Sequence, residues 1–404
     1  MNILYHHRTR GKGAEGAHIK GIVMAFRKLG HKVTLSSIHN VDPTMPVDNA
    51  TNTTRSNKKK VTAQPTKSIK HRILELTKYM PEFVFEALEL LYNIIAVRQI
   101  RNELKVEAPT FIYERYSLFM FATVWYAKKH NIPMILEVND SALVERVRHL
   151  LFKKLACKIE QWTFQNATGL VFISGYFQNL AQKNYRNIAP SVISPNAADT
   201  EVFDPAKYPV EEAKASFGLT GKTVCGFAGA FHHWHGIDWF VEEVISELKN
   251  HPDLVLFLVG DGPRHQFIQD LAKSHDITEQ ILMPGRIDHS EIPKAVAAMD
   301  FGIIPDSNDY GSPMKLFEFM SMGKGMLVPD FSPVTEVVVD NQNSWLFKKR
   351  NKDDCIKRFF EIASNQEIQK QVGKNAINYI ETSRQWRHNV EQIIKLAENK
   401  KKDI

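Results

Sequence analysis

Cysteine is scarce in this chain: three residues, Cys157, Cys225 and Cys355, are spread over 404 positions. None forms a CxxC pair, which excludes a disulfide framework and a cysteine-built zinc site and predicts inert thiols in a reducing compartment. Long apolar runs are missing too. No window holds the roughly 18 apolar residues that a spanning helix needs. The opening Met1-Asn-Ile-Leu-Tyr5 lacks the charged-then-apolar plan of a secretion signal. The expected location is the cytoplasm, and the sequons at Asn49 and Asn52 read as chance. No DxD-like carboxylate pair stands at a strand end to carry a divalent cation, so neither a metal nor another cofactor is expected. No aromatic-basic module accompanies the net charge of +7. Nucleic acid is therefore not an expected partner, and the positive balance suits nucleotide sugars or lipid headgroups.

What is present is ordinary for a soluble globular protein: 43% hydrophobic and 24% charged residues. The length predicts two domains of roughly 200 residues each. Short β-type runs alternate with helical stretches almost throughout, the pattern of parallel sheets with crossover helices. One set comprises Ile3–Tyr5, Val33–Ser36, Phe111–Tyr113, Met134–Val138, Leu170–Ile173 and Val192–Ile193. The other comprises Val224–Ala228, Leu254–Val259, Ile281–Met283, Phe301–Ile304, Met326–Val328 and Trp345–Phe347. The fold expectation is α/β, with two doubly wound Rossmann-like domains. They cover residues 1–200 and 201–375, joined through the turn-rich 194–205 stretch, and a final helical segment follows over 376–404. Residues 42–72, with Lys58, Lys59 and Lys60 in a row, predict a basic loop. After Pro81 a helical pattern places Phe83, Leu88, Leu91, Ile95 and Ile100 near one face. Packing on its own domain is the expected fate of that face, with peripheral membrane contact aided by the basic loop as the alternative.

Four loops carry candidate chemistry. Gly11-Lys-Gly13-Ala-Glu-Gly16 is a literal GxGxxG between a strand and a helix. It begins too far past its strand for the dinucleotide turn, and the second strand ends in Ser36-Ser37 where a ribose-binding acid belongs. Gly13 and Gly16 still offer backbone amides to a phosphate or a sugar. Gly229-Ala-Phe-His232-His-Trp-His235-Gly236 and Gly260-Asp261-Gly262-Pro263 follow two strands of the second set. Three close histidines there raise a metal site, but no acidic or cysteine partner stands beside them. The fourth loop, Asp309 to Gly323, reads as a helix with Ser312 as N-cap, Pro313 at its first position and Gly323 as its stop. Lys315 and Glu318 stand one turn apart, so a diphosphate cradle at a strand's carboxyl end is expected.

Taken in order, these segments resemble glycosyltransferase family 4, over nearly the full length. The carrying residues are Gly13–His18, Ile193-Ser-Pro-Asn196-Ala-Ala-Asp199, Gly229–Gly236 and Leu258-Val-Gly260-Asp261-Gly262-Pro263. Gly285-Arg286, Ser312–Glu318 and Pro333–Glu336 complete the set. The WHG and SPxKLFE forms are closest to one branch. The resemblance implies the GT-B fold, two domains facing across a cleft, and metal-independent sugar transfer from a nucleotide diphosphate sugar with retention of configuration. It places Glu318 at the second glutamate of the EX7E motif, on the donor ribose. The first glutamate position holds Tyr310, with Asp309 as the adjacent acid. The family's phosphate-binding Arg and Lys positions hold Ala230 and His235. The diphosphate charge thus falls to Lys315, His232 or His235 and helix amides, with Arg286 on the same rim. Asn139 takes the place of the family's first-domain histidine, and Arg115 is a second first-domain candidate. A closing helix, Tyr379–Leu396 with Trp386, is expected to return to the first domain. The donor's base and sugar and the acceptor stay open. The alternatives are a nucleotide-sugar epimerase on the same scaffold, a nicotinamide-dependent oxidoreductase resting on GxGxxG alone, and a non-catalytic nucleotide-binding subunit.

Overall fold

A computed structural model describes residues 1–11, 13–39, 41–45, 82–145 and 150–399. Most of the 42–72 segment, including Lys58 to Lys60, lies outside the described residues. All twelve sequence-read strands form. The first sheet contains β1 (Asn2–His7), β2 (Lys32–Ser37), β3 (Phe111–Arg115), β4 (Met134–Val138), β5 (Gly169–Phe172) and β6 (Ser191–Ile193). The second contains β7 (Thr223–Ala228), β8 (Leu254–Val259), β9 (Ile281–Gly285), β10 (Phe301–Ile303), β11 (Met326–Pro329) and β12 (Trp345–Phe347). The sheets are parallel, ordered β2-β1-β3-β4-β5-β6 and β12-β11-β10-β7-β8-β9. Each order reverses direction once, between β1 and β3 and between β7 and β10, and ligands of open α/β sheets bind outside the strand ends at such points. Helices cover the sheet faces, so β4 and β8 are buried along their whole length, and β8 reads as an unbroken apolar run.

In the first half the helices are α1 (Gly13–Lys28), α2 (Glu82–Val106), α3 (Ala122–Lys129), α4 (Lys153–Asn166) and α5 (Gly175–Asn184). The second half begins with α6 (Val210–Ser216), α7 (Ile237–Leu248), α8 (His265–Ser274), α9 (Ile292–Ala297) and α10 (Met314–Ser321). It closes with α11 (Ser332–Thr335), α12 (Lys352–Ala363), α13 (Gln366–Ser383) and α14 (Trp386–Asn399). Helix α1 shows the expected grammar: Ile19, Ile22, Val23 and Phe26 recur at three- and four-residue spacing and are fully buried.

The chain forms two compact units. One holds residues 1–171, 180–191 and those from 396 onward; the other holds 172–179 and 192–395. The turn-rich 194–205 stretch belongs to the second unit and is pinned there. Ser194 N–H donates to the Phe172 carbonyl (2.7 Å), Ala198 N–H to Arg384 (3.0 Å), and Asn389 Nδ2 to Pro195 (2.7 Å). The expected closing helix is instead the end of α13 followed by α14, with Trp386 buried.

The packing expected of the helix after Pro81 is corrected. Of its pattern residues only Ile100 is buried, whereas Phe83, Leu88, Leu91 and Ile95 are exposed. The reason is polar. Asn93 donates to the Phe119 carbonyl (2.7 Å) and accepts the Phe121 and Ala122 amides (2.9 and 2.8 Å), while Glu86 accepts those of Leu151 and Phe152 (2.7 and 2.9 Å). These bonds turn the Glu86–Asn93 side inward, because buried amides must find partners.

Candidate functional site

In the second unit the loops after β7 and β8 meet backbone to backbone. Gly229 (φ +150°) donates its N–H to Val259 (2.9 Å), and a Cβ on Gly260 (φ +138°) would lie 1.9 Å from the Gly229 oxygen. No side chain fits at either position. The β7 loop then makes one tight turn through His233–His235 and reaches Gly236, at φ +70° the N-cap residue of α7. The Asp306 N–H donates to the His235 carbonyl (3.2 Å), which ties this loop to the one after β10. The glycine-rich loop, the α7 N-terminus and the β10 loop therefore converge at the sheet's reversal point, with the free amides that every helix start leaves.

Lys315 and Glu318 on α10 enter the same place. Lys315 Nζ is out of solvent contact and has no hydrogen-bond partner among the described residues. It stands 3.9 Å from the centre of the Phe227 ring. A Cβ on Gly229 would lie only 2.7 Å from it, so that glycine also makes room for the ammonium. Burial lowers the Lys315 pKa to about 8, with Glu318 partly opposing, and raises that of Glu318 to about 7, with Lys315 partly opposing. Burial, then Lys315 and His232, lowers that of His235 to about 4. His235 is thus neutral near pH 7 and offers a hydrogen bond rather than the charge the sequence reading allowed it. The His232 ring stacks on Trp234 at 4.1 Å. Among the described residues no group of three His, Cys, Asp or Glu is placed to hold a metal ion.

Other sequence-named residues take different places. Ser312 does not cap α10, since Pro313 occupies the N-cap position in an extended conformation without a side-chain cap bond. Ser312 instead receives Asn196: the Asn196 N–H meets its Oγ at 3.1 Å and Asn196 Nδ2 its carbonyl at 2.6 Å. Asp309 is half-buried and pairs with Lys349 (3.7 Å) and Arg350 (3.4 Å). Tyr310 packs its ring on Phe177 (5.2 Å), and its carbonyl accepts from Ser174 Oγ (2.9 Å). Asp261 turns back on its own loop, accepting the Gly262 N–H (2.7 Å). Arg286 is exposed just beyond Gly285, whose carbonyl accepts the Gly260 N–H (2.9 Å).

The first unit has its own cluster at the ends of β1, β3 and β4. Glu137 is buried and takes Arg115 Nη1, His18 Nε2 (2.9 Å), Tyr113 OH (3.1 Å), Tyr5 OH (3.4 Å) and Asn139 Nδ2 (3.3 Å). Burial alone raises a carboxyl pKa, but here His18 and Arg115 outweigh it and hold Glu137 down to about 2. Next to it His6 Nδ1 lies 2.6 Å from Glu114, itself bonded by Thr123 (2.8 Å). His7 falls to about 4 through burial and then the neighbouring His6 and Arg115. Arg115 and Asn139 are thus brought together as partners of one carboxylate, and Arg115 is committed to that ion pair. Gly13, at φ +59°, opens α1, and a Cβ on Gly16 would lie 2.2 Å from the Gly11 oxygen, so the loop and the helix start touch. Glu137, His6 and Glu114 escaped the sequence reading. Their signal was titratable residues at the carboxyl ends of strands neighbouring in the sheet.

Comparison with known proteins bears out the fold. Residues 209–379 match the family model of glycosyl transferases group 1, and the fold is that of GT-B glycosyltransferases. Among particular relatives, an uncharacterized glycosyltransferase of Methanocaldococcus jannaschii is 22% identical over 285 residues, 69% of this chain and 71% of its own. Sucrose-phosphate synthase from Thermosynechococcus elongatus superposes with a TM-score of 0.71 over 100% of both chains at 14% identity. HepE of Anabaena, solved in complex with UDP, gives 0.71 at 13% identity, covering 99% of this chain and 100% of its own.

Proposed function

We propose that this chain transfers a sugar, with retention of configuration and without a metal, from a UDP- or GDP-type nucleotide sugar to a glycan, lipid-linked or small-molecule acceptor in the cytoplasm. The observation that carries this reading is the buried Lys315 ammonium at the reversal point of the second sheet, without a hydrogen-bond partner among the described residues and one turn from Glu318. An anion arriving there relieves a buried cation, and the amides at the α7 start add donors without reorganisation. In this reading Lys315 and His235 meet the departing diphosphate, Glu318 holds the ribose, and no side chain serves as nucleophile. The UDP bound to HepE favours a uridine donor. The free buried thiols Cys225 and Cys355 suit a reducing cytoplasm.

Tyr310 in place of an acid supports a second reading, a nucleotide-binding subunit without turnover. One titration separates the two. Thermal unfolding is followed with UDP, GDP, ADP, TDP and their common sugars, with and without Mg²⁺. Ligand at a hundred times its dissociation constant adds roughly 2.7 kcal/mol. The expected outcome is a metal-independent rise with one nucleotide family, followed by slow release of that nucleotide from its sugar. Binding with no release under any acceptor favours the second reading; no rise with any nucleotide sinks both.

A further inference from the structure

Helix α2 carries an apolar side with nothing packed on it among the described residues. Phe83, Leu91 and Ile94 are 51%, 54% and 53% exposed, and Leu88 and Ile95 are exposed beside them. At 3.6 residues per turn these five fall within an arc of roughly 140°. The opposite side carries the buried Glu86, Asn93, Ala96 and Ile100. Further along the outward arc the apolar residues give way to exposed Arg98, Arg101 and Lys105.

A second apolar patch adjoins the first. Glu86 reaches from the inner side of α2 to accept the N–H groups of Leu151 and Phe152. From there Leu151, Phe152, Lys153, Lys154 and Leu155 are all exposed and line a shallow hollow of about 570 Å³. Lys158 follows one turn along α4, also exposed. Of the acidic side chains described on the two helices, Glu86 and Glu160 are buried, Glu89 pairs with Arg8 at 3.0 Å, and Glu103 is half-buried. None stands exposed. Among the described residues of the two helices this surface therefore has apolar tips, flanking charges of one sign, and no exposed acid.

We propose that this face of the first unit docks on an anionic lipid bilayer. The side chains of Phe83, Leu91, Ile94, Leu151 and Phe152 enter the headgroup boundary, while Lys153, Lys154 and the arginines of α2 meet the lipid charge. An exposed apolar patch of this extent calls for a cover. Self-association is a poor one, because a two-fold contact presses two copies of the same positively charged patch together with no described acid on the two helices to offset it. An anionic membrane satisfies both parts, taking up the apolar tips by burial and the cations by attraction to its surface. The inference stands apart from the transfer reaction and holds whatever the donor is.

The test is co-sedimentation of the full chain with phosphatidylcholine vesicles, with and without phosphatidylglycerol. The expected result is pelleting with the anionic vesicles at low salt and a roughly tenfold weaker affinity at high salt. Leu91→Glu combined with Ile94→Glu should abolish pelleting without changing the melting temperature, since both side chains are exposed. Lys153→Glu with Lys154→Glu should remove the preference for phosphatidylglycerol. No pelleting by a folded protein, equal pelleting on neutral vesicles, or an unimpaired Leu91/Ile94 variant overturns the proposal. So does a dimer, seen by light scattering, that the same variant disperses, because the face then belongs to a second copy. An Ile94→Cys variant that a water-soluble maleimide fails to label without vesicles overturns it too, since the face is then already covered.

Discussion

Lys315 is held in a state that folding alone does not favour. Its ammonium is shut off from water with an aromatic ring and a partly buried carboxylate for company, and its pKa falls to about 8 from an ordinary 10.5. A lowered lysine pKa means that the folded state resists the charge: the contribution to stability is whole above the ordinary value and is lost as pH falls through about 8. At pH 7 Lys315 thus lowers stability by about 1–3 kcal/mol, after allowance for the Phe227 contact. Lys315→Met should therefore raise stability by that amount at pH 7, the gain vanishing above pH 10, while abolishing the stabilisation by nucleotide. Urea unfolding at the two pH values, with and without UDP, reads both effects. A less stable methionine variant would make Lys315 a structural residue. The same cause sets the pH dependence of binding. A diphosphate needs the protonated lysine, so affinity should fall as pH rises past about 8. None of this was legible in the sequence, which placed Lys315 and Glu318 one turn apart but said nothing of the Gly229 opening that admits the ammonium. Asp309 shows the converse, since an acid beside the motif position is drawn away by Lys349 and Arg350, close only in the fold.

At the scale of elements the sequence was most informative where burial is two-sided. Strands such as Leu254–Val259 lie between helix layers, so their composition announces them. Helix faces were harder. On α2 an apolar pattern predicts burial, yet Asn93 and Glu86 make bonds that only the folded chain supplies, and these decide the inward side. The cluster at the ends of β1, β3 and β4 was illegible for a related reason, because its members stand in four separate segments. Their joint product is testable. A carboxyl held at about 2 instead of 4.5 adds stability above its ordinary value and loses it as pH falls toward 2. Glu137→Gln should cost about 3–5 kcal/mol at pH 7, since it strands Arg115 and His18 without their partner. The gap between wild type and variant should narrow by roughly 1 kcal/mol at pH 3.5, where the wild type has begun to lose its advantage. Denaturant unfolding of both proteins measures it; a gap independent of pH would mean that folding leaves the Glu137 pKa at its ordinary value.

Each unit of the molecule carries a sheet with one reversal of strand order, but the two reversal points differ in chemical condition. In the first unit the charges are spent on one another, with Glu137 between Arg115 and His18 and Glu114 against His6. In the second unit the Lys315 ammonium lacks a hydrogen-bond partner among the described residues and lies beside the opening that Gly229 leaves. A free anion should therefore be captured by the second unit alone. Hydrogen exchange followed by mass spectrometry can resolve this, because opening of a loop slows when its amides are bonded to ligand. With saturating UDP, protection should rise in peptides spanning residues 228–237, 259–264 and 312–320. Peptides over 111–116 and 134–140 should exchange as before, since their side chains already have partners. Protection centred on 134–140 instead, with 312–320 unchanged, would move the nucleotide site to the first unit and with it the role assigned to Lys315.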